Sequence, residues 1–232
     1  MFYSFDPLYW VMVIPCMLFA MWAQARVKSA FDKYSRVRAT SGMTGAEAAR
    51  EVMRSAGITD VSVEEVGGFL SDHYDPRSKT LRLSPKVYGG QSLASVGVAA
   101  HEAGHAIQHQ HHYAPLEARA FIVPMAGFGS WLAFPMIFLG FVLKALSLVK
   151  FGIILFAVLV IFQIVTLPVE FDASARAKKV LASTGIISGP AEAKGVAAVL
   201  NAAAMTYVAA TISAVATLLY FLLRSGLLGN RR

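Results

Sequence analysis

The 232-residue sequence is poor in charge, in cysteine and in acidic residues. Asp, Glu, Lys and Arg make up 15% of it, against about 25% in an ordinary soluble domain. Hydrophobic residues reach 56%, leaving too little polar sequence to cover them in water. One cysteine, Cys16, excludes an internal disulfide framework, and its flanks do not mark it for lipid attachment. No internal repeat and no low-complexity linker is present. Fourteen acidic residues oppose 21 basic ones, a net charge of +7. Topological bias and attraction to anionic lipid headgroups account for that excess, so nucleic acid is not expected as a partner.

The apolar excess is gathered in four runs: Leu8 to Ala25, Ala120 to Leu143, Phe151 to Val169 and Asn201 to Leu223. Each is close to the ~20 residues that a helix needs to cross a bilayer. The expected class is an α-helical integral membrane protein with four transmembrane helices and a small α+β cytoplasmic domain. Ala23-Gln24-Ala25 resembles a signal-peptide cleavage site, but no Lys or Arg precedes the first run, so an uncleaved anchor is expected. Lys and Arg near the span ends set the orientation. Arg26, Lys28, Lys33, Arg36 and Arg38 follow the first run, and Arg176, Lys178 and Lys179 follow the third. Lys144 and Lys150 alone lie between the second and third, while Arg224, Arg231 and Arg232 in the tail argue mildly the other way. The expected organisation is an anchor over 1–25, a cytoplasmic domain over 26–119, a transmembrane hairpin over 120–169, a cytoplasmic helical segment over 170–200, and a last span with its tail over 201–232.

Within the polar part, His101-Glu102-Ala103-Gly104-His105 lies in a run, Ser95 to His109, that reads as one helix. Residues four apart stack on one helix face, so His101 and His105 project side by side and can bind one zinc ion. Glu102, rotated by about 100°, can take a proton from water held on that ion. The small apolar neighbours Val98, Ala99, Ala100, Ala103, Ala106 and Ile107 imply that this face is buried, and buried histidines need partners.

Around that helix, Val27 to Arg38 reads as a basic helix close to the membrane, ended by Ser41-Gly42-Met43. Thr44 and Glu47 form a capping box for a helix that ends at Gly57. Val61–Val66, Phe69–Leu70 and Thr80–Ser84 read as strands, with a turn at Asp75-Pro76-Arg77-Ser78. An extended peptide can add to a free edge of such a sheet. His73, Tyr74 and Arg82 are candidates to stabilise an oxyanion.

A catalytic zinc usually keeps three protein ligands and one open position. His111 has the spacing of the longer H-E-x-x-H-x-x-G-x-x-H motif, but Gln108 stands where that motif needs a turning glycine. His109 and His112 read as solvated or headgroup-contacting. Glu170 is the first charge after the third run, so topology returns it to the membrane face of the zinc helix. Asp172 points about 200° away from Glu170 on a helix and pairs more naturally with Arg176; it is the substitute ligand if the backbone there is not helical.

Three motifs together, Leu70 to Lys79 with Leu81-Arg82-Leu83-Ser84, Ala99 to Gln108, and Pro168 to Ser174, resemble the bacterial YugP-like family of membrane zinc metallopeptidases. More distantly they are similar to gluzincin membrane proteases of the HtpX and CAAX-processing kind. The resemblance implies a zincin-like domain, one Zn2+ per chain held by His101, His105 and Glu170, and Glu102 as general base in peptide-bond hydrolysis. The resemblance leaves the substrates unassigned; the expected substrate is a peptide or membrane protein, and the Lys and Arg bias places the site on the cytoplasmic side of a multi-pass protein of the cell membrane. The distant relatives place an aspartate four residues after the ligand glutamate; here that position is Ser174. Two readings compete. A site-two-type intramembrane protease needs an Asp in a later span, and the third and fourth runs contain none. A non-enzymatic membrane scaffold or chaperone-like protein with a structural zinc leaves Glu102 without a purpose.

Overall fold

A computed structural model describes residues 6–68 and 71–228. The chain divides into two compact units. One comprises Met1–Ala23, Ala118–Leu167 and Thr206–Arg232; the other comprises Gln24–Glu117 and Pro168–Met205.

Four helices are long and apolar enough to cross a membrane: α1 (Pro7–Tyr34), α5 (Ala114–Val142), α6 (Leu146–Ser183) and α7 (Gly189–Arg224). Each is longer than the apolar stretch that predicts it, although α5 stops one residue before Leu143. Hydropathy stops at the first charge, whereas helical backbone stops only at a breaker. In α6 the helix passes Pro168 and the charged run beyond it and ends at Ser183, two residues before Gly185 (φ +71°). The expected helix Val27–Arg38 close to the membrane is therefore not a separate element: Val27 to Tyr34 is the last part of α1. Residues 37–39 leave the helix because their backbone pairs with 91–93, through Ala39 N–H to Gln91 O (2.9 Å) and Leu93 N–H to Val37 O (2.9 Å).

The first unit is held by apolar clusters, one of Ile137, Val149, Ile153, Tyr220 and Phe221, another of Ala133, Phe156, Val160 and Ala214. Asp6 accepts from the Tyr220 hydroxyl (3.0 Å) and pairs with Arg224 (3.2 Å). Apart from Val37 and Phe171, the exposed large hydrophobic side chains of the described residues all lie in this unit, with Phe121, Trp131 and Val11 among the barest. So much bare apolar surface is foreign to a water-soluble monomer and suits lipid.

The second unit carries its own core, which includes Val52, Met53, Leu81, Leu83, Val96, Ala103, Leu181 and Val196. Its helix α2 (Gly45–Ser55) starts as expected: Thr44 Oγ1 accepts from Glu47 N–H (3.2 Å), and Glu47 accepts in return from Thr44 N–H (2.8 Å). Three short strands, β1 (Ser62–Glu65), β2 (His73–Asp75) and β3 (Thr80–Leu83), form a sheet in the order β1-β3-β2. β1 runs parallel to β3, with Val63 opposite Leu81, and β2 runs antiparallel to it, with Tyr74 opposite Leu81. The expected strand at Phe69–Leu70 lies outside the described residues, as do Arg231 and Arg232; β2 forms just after it, and holds His73 and Tyr74, which were expected in the sheet without a strand of their own. A single turn, α3 (Pro85–Tyr88), leads to α4 (Leu93–Gln110), capped by the Ser92 hydroxyl on Ser95 N–H (3.1 Å).

Candidate metal centre

Helix α4 supplies the H-E-x-x-H residues. Its small residues let a second helix come close: a Cβ built on Gly104 would lie 2.6 Å from Ala173 O. Only hydrogen fits there, so α6 presses against α4 beside the two histidines. Along α6, Glu170 and Ser174 are one turn apart and share a face.

His101 Nε2 lies 3.2 Å, and His105 Nε2 3.8 Å, from the same oxygen, Glu170 Oε2. One ligand atom from each residue falls within 4.8 Å of the others, a spacing that can hold a metal ion. The rings stand edge to face, with centroids 4.8 Å apart. Glu170 is only 2% exposed. A carboxylate so deeply buried needs positive charge beside it. The other ring nitrogens are occupied: His101 Nδ1 meets Ser174 Oγ (3.1 Å) and His105 Nδ1 meets Gln108 Oε1 (2.9 Å). With both Nδ1 atoms engaged, the two Nε2 atoms are left to converge with a carboxylate, and this His-His-Glu donor set fits zinc.

Glu102 is buried on the same helix. Burial pushes its carboxyl up to about 7. The charge of His101 opposes that shift and those of Glu170 and Asp72 add to it, while His73 opposes it more weakly. A carboxyl in that range can both take and return a proton near neutral pH.

The remaining candidates are placed as follows. Asp172 turns away from the pair of imidazoles; it accepts from Gln108 Nε2 (2.8 Å) and pairs with Arg176. Arg176 also stands over the Tyr113 ring. Tyr74 bonds through its hydroxyl to His109 Nδ1 (2.9 Å), and Arg82 pairs with Asp75 (3.3 Å) and Glu64 (3.7 Å). His73 is exposed, its Nδ1 on Ser71 O (2.8 Å). His111 is the C-cap of α4, and His112 is exposed beside Glu117. Gln108, read from the sequence only as a good helix former, binds a site histidine; its place three residues after His105 on a buried helix was the available signal. Asp72 was also missed. It accepts from Ser84 N–H (2.7 Å) and hydroxyl, and burial raises its carboxyl above the ordinary value.

The family described as "Putative neutral zinc metallopeptidase" matches residues 9–226. The chain belongs to that family. A relative from Bacillus subtilis (strain 168), described as "Putative membrane protease YugP", is 50% identical over 205 residues, covering 88% of this chain and 90% of the relative. No solved structure matches the chain. Membership in a zinc metallopeptidase family makes zinc the metal to weigh against the His101, His105 and Glu170 arrangement.

Proposed function

We propose that the chain is a membrane-embedded zinc metallopeptidase, an endopeptidase of gluzincin type, with His101, His105 and Glu170 as the ligands of one zinc ion. The observation that carries this reading is the convergence of two imidazole Nε2 atoms on Glu170 Oε2, beside a buried Glu102. When bound, zinc supplies Lewis acidity, lowering the pKa of water to ~7 and polarising a carbonyl. Glu102 accepts the proton of the attacking water and delivers it to the amine that leaves. Water adds its oxygen to the carbonyl carbon, the C–N bond breaks, and a carboxylate and an amine result. Of the three oxyanion candidates, His73 is the exposed one, open to an incoming chain. The bare apolar surface of the first unit supports insertion in the cell membrane, and the Lys and Arg bias supports a site facing the cytoplasm. The substrate is then a peptide or the polar segment of a membrane protein.

The test is Glu102→Gln in the detergent-solubilised protein, with zinc measured by elemental analysis and cleavage followed on a fluorogenic peptide library. The reading predicts unchanged zinc content and a rate lowered at least ~100-fold. Full activity would remove Glu102 as the base. Wild-type protein that holds zinc but cleaves nothing, with a cellular function unaltered by the exchange, would favour a scaffold with a structural ion.

A further inference from the structure

Gln108 is fully buried and connects the two helices of the site. Its Nε2 lies 2.8 Å from Val169 O and 2.8 Å from Asp172 Oδ2, and its Oε1 lies 2.9 Å from His105 Nδ1. A carboxamide nitrogen has two hydrogens to donate. A backbone carbonyl accepts only, and so does the carboxylate of Asp172 in its ion pair with Arg176, so both hydrogens are spent on α6. Rotating the amide by half a turn would set Oε1 against two acceptors. The oxygen therefore faces His105, and Nδ1 of that ring must be the donor. In the neutral ring this leaves Nε2 with its lone pair, on the side of Glu170.

We infer that Gln108 is a positioning residue of the metal site, holding His105 as the Nδ1–H tautomer and clamping the α6 segment that presents Glu170. The clamp is bilateral: Val169 and Asp172 bracket Glu170 in sequence, and one amide holds both. Asp172 is itself braced by Arg176, whose guanidinium stands 5.6 Å from the Tyr113 ring centre. The Nδ1 contact of His101 does not fix a tautomer in this way, because the Ser174 hydroxyl can donate or accept. One side chain thus orients an imidazole ligand on its own helix and sets the register of the carboxylate ligand on the next. The inference rests on the zinc reading for its consequence, but the tautomer is a property of the metal-free protein.

Two measurements test it. Nitrogen-15 NMR of histidine-labelled, metal-free wild type at alkaline pH should show His105 protonated on Nδ1; protonation on Nε2 would overturn the inference. Competition with a chromophoric chelator should show zinc affinity lowered ~10- to 100-fold in Gln108→Leu. Gln108→Glu, which sets a carboxylate oxygen against both Val169 O and the Asp172 carboxylate, should lose at least as much. A Gln108→Leu protein that melts earlier yet binds zinc as wild type does would reduce Gln108 to a packing residue and overturn the role. If that variant does not fold, the wild-type tautomer decides. Wild type with the expected tautomer but no zinc affinity would sink the metallopeptidase reading instead.

Discussion

Ser174 Oγ lies 3.1 Å from His101 Nδ1, one helical turn beyond Glu170 on the same face of α6. A hydroxyl holds the ring but withholds the negative charge that would make it more basic. Ser174→Ala should therefore weaken zinc binding ~10-fold, and Ser174→Asp should tighten it. Chelator competition at fixed pH reads both; equal affinities across the three proteins would show that this contact does not tune the site.

Gly104 leaves no room for a methyl group. The three atoms nearest to its built Cβ are all backbone atoms of Ala173, at 2.6 to 3.2 Å, so relief requires moving a helix rather than a side chain. Gly104→Ala should cost about 1–3 kcal/mol of stability by overpacking and should spread His101 and His105 from Glu170. Thermal melting in detergent and zinc content should fall together. Gly97, whose nearest neighbour is the Val196 side chain at 3.3 Å, offers a contrast in which a movable group meets the methyl, and Gly97→Ala should be far milder.

Asp75 ends β2 and ties the turn to β3. The Ser78 hydroxyl first, then Arg77 N–H and Arg82, hold its carboxyl down at about 2. A carboxyl whose folded value lies below its unfolded value of about 3.9 contributes stability that is present above ~4 and lost as the pH falls through ~2. Asp75→Asn should thus lower the melting temperature at pH 7, and the gap to wild type should close between pH 4 and 2. The turn anchors the end of β2, which carries His73 and Tyr74, so the exchange should also slow cleavage at neutral pH. A gap that stays constant with pH would show that the turn does not depend on the charge of Asp75.

The legible parts of this chain were those written locally. Thr44 and Glu47 announce a helix start within four residues, and His101 and His105 announce a shared face. Glu170 was proposed from topology, because two apolar runs separate Glu117 from Glu170, the acidic residue that follows it. The true extent of α6 was hidden because hydropathy marks where charge resumes, and helix continues through charge. β2 was hidden because three residues, His73-Tyr74-Asp75, carry no alternation; their state is set by pairing with β3. Gln108 was hidden because its partners, Val169 and Asp172, stand more than sixty positions away. Its own letter reads equally well as an ordinary helical residue.

The account depends most on Glu170 sharing one cation with His101 and His105. X-ray absorption on the zinc-loaded protein, paired with zinc affinity in Glu170→Ala, measures this directly. The account predicts two imidazole nitrogens and carboxylate oxygen at ~2.0–2.2 Å in wild type, and at least a ~100-fold loss of affinity in the variant. Zinc held with unchanged affinity after Glu170→Ala, or a first shell without imidazole, would contradict it.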